Sequence, residues 1–179
     1  MRKTLLVLWV MLACGNLWAK ALPPGSVPPD DLGKTLAGQQ VTVANLHGKV
    51  VVISFWATWC GYCMKEMPVL AKMQSLATKR GMSLQVVAVN YKEDRRVFLR
   101  AARALGKSLP ELLLTWDRHG AIGKPYDVTG IPVMVMLHRD GTVAHVHVGY
   151  GEDMLGTLVE EINALLREPP IAAPVLAPR

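Results

Sequence analysis

The sequence predicts an α/β domain in which a central mixed sheet is flanked by helices. Three observations carry this expectation. Val50 to Phe55 (Val-Val-Val-Ile-Ser-Phe) is a nearly continuous β-branched run, and Leu84 to Val89 (Leu-Gln-Val-Val-Ala-Val) is a second. Runs apolar on both faces suit central strands covered on two sides. Between them Met67, Leu70, Met73 and Leu76 recur about every three residues, the stripe of a helix buried along one side. Near the end, Val133 to Leu137 and Val143 to Val148 flank Asp140-Gly141, a dipeptide that favours a hairpin turn.

The other elements follow in order. Leu22 to Asp31 is proline-rich and reads as an extended leader. Gln40 to Val43 alternates as an edge strand does, and Asn45 to Lys49 reads as a turn. The first helix is expected over Gly61 to Arg80, with Gly81 as its stop. Asp94 can cap a helix over Arg95 to Leu105 that ends at Gly106. Leu112 to Thr115 reads as a short strand, Asp117 to Gly120 as a turn, and Ala121 to Tyr126 as a short helix. Met154 to Leu166 is an amphipathic helix, and from Glu168 onward four prolines mark a loose tail. Parallel strands joined by helices make right-handed crossovers.

The first residues have a different purpose. Arg2 and Lys3 precede a short apolar run, Leu5 to Ala13, and Ala19-Lys20-Ala21 supplies a small-x-small exit before Pro23 and Pro24. This is the pattern of a secretory signal, and the run is too short to span a bilayer. Met11-Leu12-Ala13-Cys14-Gly15 loosely resembles a bacterial lipobox, so a lipid anchor at Cys14 is a second processing route. The chain therefore divides into a signal peptide over 1–21, a leader over 22–31, a folded domain over 32–167 and a Pro-rich tail over 168–179.

Half the residues are hydrophobic (51%) and 19% are charged, which argues for a packed globule over a disordered chain. The formal charge of +6 falls to +3 without Arg2, Lys3 and Lys20. No basic run or aromatic interleaving remains to make a case for nucleic-acid binding.

Of the three cysteines, Cys14 lies in the signal region, leaving Cys60 and Cys63 in the domain. A bond between residues three apart closes almost no chain and adds little stability, so the pair points to chemistry. A thiolate is the attacking species in disulfide exchange. Cys60 follows a strand and stands where a helix starts, where free N–H groups and the helix dipole favour negative charge. Cys63 is one turn further on. That arrangement gives Cys60 the nucleophile's role and Cys63 the resolving role. A zinc site is the rival use of C-x-x-C, but no second cysteine pair exists in the domain. His145 and His147 could share a strand face, yet histidines on a terminal hairpin are more often solvent-facing. Met64, Met67, Met73, Met134 and Met136 are read as core filling over copper ligands.

Phe55-Trp56-Ala57-Thr58-Trp59-Cys60-Gly61-Tyr62-Cys63, followed by Glu66-Met67-Pro68, resembles the thioredoxin superfamily. More narrowly it is similar to the exported TlpA/ResA-like and CcmG-like proteins. The likeness covers roughly Leu32 to Leu166 and includes Gly48-Lys49-Val50, Gly130-Ile131-Pro132 and Asp140-Gly141-Thr142. It implies a thioredoxin-like fold with an N-terminal strand extension and an inserted helix–strand segment. It implies a cis bond before Pro132, lying against the cysteine pair and pairing with an extended client segment. It further implies that Glu66 handles protons, while Ser54 stands where cytosolic thioredoxins carry a buried Asp. Trp59, Gly61, Tyr62 and Ile131 are the expected client contacts.

The expected function is periplasmic reduction of client disulfides, in apocytochrome c or a copper-site assembly protein, by a monomer fed from a membrane thiol donor of the DsbD/CcdA kind. The redox group would be the Cys60–Cys63 disulfide alone, without metal or cofactor. Gly61-Tyr62 replaces a common proline-containing dipeptide and leaves the redox direction open. A dithiol oxidase or isomerase, or a redox-inert metallochaperone-like module, are the alternatives.

Overall fold

A computed structural model describes residues 22–170, so the signal segment, Cys14 and most of the tail lie outside the described residues. Seven strands form one sheet: β1 (Asp31–Thr35), β2 (Gln40–Thr42), β3 (Val50–Trp56), β4 (Leu84–Tyr91), β5 (Leu113–Asp117), β6 (Val133–Leu137) and β7 (Val143–Val148). Three α-helices accompany them: α1 (Gly61–Lys79), α2 (Arg95–Ser108) and α3 (Leu155–Arg167). The order across the sheet is β2-β1-β5-β4-β3-β6-β7. β3, β4 and β5 are parallel, and every other pairing is antiparallel.

Every residue of β3 is buried, as its β-branched run requires of the central strand. Alternation divides its side chains between two cores. Val50, Val52 and Trp56 join α1, α2 and α3 residues such as Met67, Leu70, Phe98, Leu158 and Ile162 on one face. Val51, Ile53 and Phe55 join Leu32, Val43, Tyr126 and Val135 on the other. Full burial of each such aliphatic or aromatic side chain contributes about 1.5–3 kcal/mol. Met67, Met134 and Met136 fill this core.

Several elements differ from the sequence expectation. The leader is followed by β1, an N-terminal strand that the residue pattern does not mark, whose backbone joins β5 through Lys34 and Thr35. Its Gly33 has φ +90°, and a side chain there would press on Ile122 and Thr115. The leader itself is held to β7, because Gly25 N–H donates to Val143 O and Val143 N–H to Ser26 O. α2 runs past Gly106 to Ser108, its Asp94 cap accepting from Arg96 N–H; one interior glycine costs about 1 kcal/mol and does not end a helix. The expected helix over 121–126 is only a 3₁₀ turn, Lys124–Tyr126. Glu168, placed in the loose tail, contacts His138 Nδ1 through Oε1 at 2.8 Å. His145 and His147 do not simply face solvent: both reach the Glu161 carboxylate on α3, at 3.4 and 2.6 Å. The Asp140-Gly141 hairpin turn forms as expected, with Gly141 at φ +84°.

Candidate active site

β3 delivers the chain directly to the cysteine pair. Its last residue, Trp56, is followed by a turn closed by Cys60 N–H donating to Ala57 O at 3.1 Å. Cys60 keeps extended backbone and caps α1, its Sγ accepting from Cys63 N–H at 3.1 Å. The two sulfurs are joined as a disulfide, with Cα atoms 5.3 Å apart. On reduction, the N–H groups at this helix start favour negative charge on Cys60. Access is unequal: Cys60 retains 6% of its surface, whereas Cys63 has none.

β6 brings the second part of the site. It runs antiparallel to β3 with Val133 opposite Phe55, so Pro132 comes level with Trp56 at the same end of the sheet. The Ile131–Pro132 bond is cis. Pro132 O accepts from Gly149 N–H at 2.8 Å, which ties this loop to the end of β7. Ile131 packs against both cores. Trp59 and Tyr62 project into solvent, 70% and 61% exposed. Gly61 is exposed too, and a side chain there would meet nothing within 4 Å, so packing does not demand glycine between the cysteines.

Glu66 follows Cys63 by one helical turn and is buried with it on the sheet-facing side of α1. Its Oε1 accepts from Ser54 Oγ at 2.7 Å, and its Oε2 is buried without a hydrogen-bond partner among the described residues. Burial pushes the carboxyl up from 4.5 to about 7, opposed only in part by the Ser54 hydrogen bond. A carboxyl poised there can take or give a proton at neutral pH. Ser54, which stood out in the sequence as a departure, proves to be the partner of this acid.

One contact was invisible in the sequence. Thr58, inside the turn that carries Trp59 and Cys60, donates both its N–H and its hydroxyl to Glu93. The two residues lie 35 apart in the chain. Only the strand register, which sets the end of β4 beside the end of β3, brings them together.

Comparison with known proteins identifies the family and the fold. The Redoxin family model matches residues 21–166. The thioredoxin-like protein YneN of Bacillus subtilis is 35% identical over 130 residues, covering 70% of this chain and 71% of that protein. The thiol-disulfide oxidoreductase ResA of Geobacillus kaustophilus is 28% identical over 129 residues, covering 72% and 71%. A crystal structure assigned as the thiol:disulfide interchange protein DsbE of Chlorobium tepidum matches with TM-score 0.70 and 31% identity, covering 81% of this chain and 99% of that one. The chain belongs to the Redoxin family and is a thioredoxin-like thiol–disulfide oxidoreductase of the ResA/DsbE type.

Proposed function

We propose that the protein is exported to the periplasm and there reduces disulfides in client proteins through the Cys60/Cys63 dithiol. The observation that carries this reading is the unequal exposure of the two cysteines, with a buried acid one helical turn past the sealed one. The Cys60 thiolate attacks one sulfur of a client disulfide, forming a mixed disulfide and releasing the other client sulfur as a thiolate. That thiolate takes up a proton. Cys63 then gives its proton to the Glu66 carboxylate and attacks Cys60 Sγ. The Cys60–Cys63 bond forms, the bond to the client breaks, and the second client sulfur leaves as a thiolate and is protonated. Two electrons have passed to the client.

Trp59, Gly61, Tyr62, Ile131 and Pro132 supply the surface on which an extended client segment lies. Apocytochrome c and copper-site assembly proteins are the clients this reading names, and a membrane dithiol donor of the DsbD/CcdA kind restores the dithiol. The early Arg2, Lys3 and Leu5–Ala13 pattern supports export, with lipidation at Cys14 the other processing route. The protein acts as a monomer in this scheme.

Equilibration of the pair in glutathione buffers tests the direction of transfer. A potential near that of thioredoxin, about −270 mV, supports the reductant, whereas one near about −120 mV overturns it in favour of an oxidase. A Cys63→Ser variant should accumulate mixed disulfides with its clients, because the resolving sulfur is gone. Absence of covalent adducts would reject the exchange role altogether.

A further inference from the structure

We infer that Glu93 is a positioning residue for disulfide exchange with polypeptide substrates, acting by clamping the turn that presents Trp59 beside Cys60. Glu93 is buried, and both its carboxylate oxygens are occupied. Oε2 accepts from Thr58 N–H at 2.9 Å and from Asn90 Nδ2 at 2.6 Å, and Oε1 accepts from the Thr58 hydroxyl at 2.5 Å. Its backbone O accepts from Trp116 Nε1 at 3.0 Å, and that ring stacks on Phe98 at 5.8 Å. The glutamate is thus fixed at both ends.

The chain adopts a costly conformation to put it there. Lys92, between the end of β4 and Glu93, has φ +54°, a left-handed backbone that disfavours any residue with a Cβ. Such positions persist only where surrounding contacts hold them. Here Lys92 N–H donates to Asp117 O at 2.9 Å, which secures the kink.

What the clamp secures follows from exposure. Trp59 is largely in solvent, so core packing cannot set its direction; the turn must. That turn has one bond of its own, Cys60 N–H to Ala57 O, and its two central residues are Thr58 and Trp59. With Glu93 in place, Trp59 stands beside the attacking sulfur. Without it, Cys60 remains at the helix start while the turn is free to swing. Reaction with a small disulfide needs only the sulfur, whereas reaction with a peptide also needs the surface around it.

The inference rests on the proposed client role of Trp59, and the test separates the two. In a reduced Cys63→Ser background, two disulfides with the same leaving group are compared: 5,5′-dithiobis(2-nitrobenzoate), and a peptide whose single cysteine is capped with thionitrobenzoate. In each, Cys60 Sγ forms the new S–S bond and thionitrobenzoate departs, which is read by its colour. Glu93→Gln should slow the peptide reaction about tenfold, the size of effect expected from misplacing a contact surface, and the small disulfide less than about twofold. Thr58→Val keeps the N–H and loses only the hydroxyl, so it should slow the peptide about threefold and serves if Glu93→Gln does not fold. Equal slowing of both probes, or no slowing of the peptide, overturns the clamp. Trp59→Ala reports separately: an unchanged peptide rate there rejects Trp59 as the client contact.

Discussion

Glu66 lies beneath the cysteine pair on α1, and Glu93 lies beside it just past the end of β4. Both are buried glutamates at one end of the same sheet, and their surroundings differ in kind. Glu66 receives one hydrogen bond, from Ser54, and keeps one oxygen without a partner among the described residues. Glu93 receives three, distributed over both oxygens. Burial alone therefore does not decide what a carboxyl does. A buried acid left short of donors has its pKa pushed up to about 7, where it is suited to exchange protons. One saturated with donors fastens the groups that donate to it.

The largest expected effect concerns Glu66 and stability. Its folded value, about 7, lies above the ordinary 4.5, so the folded state keeps a proton that the unfolded state has lost. Stability therefore falls as pH rises from about 4.5 to about 7 and stays lower above that, by about 3 kcal/mol. Glu66→Gln removes this penalty, so the variant should be the more stable protein at pH 8 and lose its advantage at pH 4. Urea unfolding of the oxidised proteins across that range checks it. A gap that does not open with pH would break the contrast at its root.

Glu93→Ala should act with the opposite sign. Removing an acceptor from three buried or half-buried donors destabilises by about 2 kcal/mol, measured in the same unfolding experiment at pH 8. A variant as stable as the parent would mean that Glu93 fastens nothing. The smallest effect belongs to Ser54→Ala. The Ser54 hydrogen bond lowers the Glu66 value, so its loss should raise the midpoint above about 7 by less than about one unit. Titration of the Glu66 carboxyl carbon by NMR reads this directly, and a downward shift would reverse the assigned cause.

Much of this site is local in sequence and hence legible there. Cys63 and Glu66 fall on α1 three residues apart and Cys60 caps it three residues earlier, so local geometry predicts that they lie together. Pro132 is placed in the site only by the family resemblance around Gly130-Ile131-Pro132, because the β3–β6 register that brings it level with Trp56 is not local in sequence. Glu93 and Thr58 gave none, because their contact depends on parallel register between β3 and β4 and on a left-handed Lys92. A lysine gives no hint of positive φ. The same limit explains β1, where polar residues and Gly33 hide a strand that forms by pairing between β2 and β5. The hairpin that carries His145 and His147 says nothing of their partner, because Glu161 lies on α3, 14 residues beyond His147.

The sealed Cys63 has a kinetic corollary. Of the paired cysteines only Cys60 keeps any exposed surface, so in the proposed scheme electrons enter and leave the pair by way of Cys60. If the proposed donor dithiol and client disulfide both react there, they take turns at a single atom, with no ternary complex between visits. Initial-rate plots against one partner at several fixed levels of the other should give the parallel lines of a ping-pong scheme. Crowding by either partner should then obstruct the other, so throughput in the cell is governed by the balance of the two partners as much as by the potential of the pair.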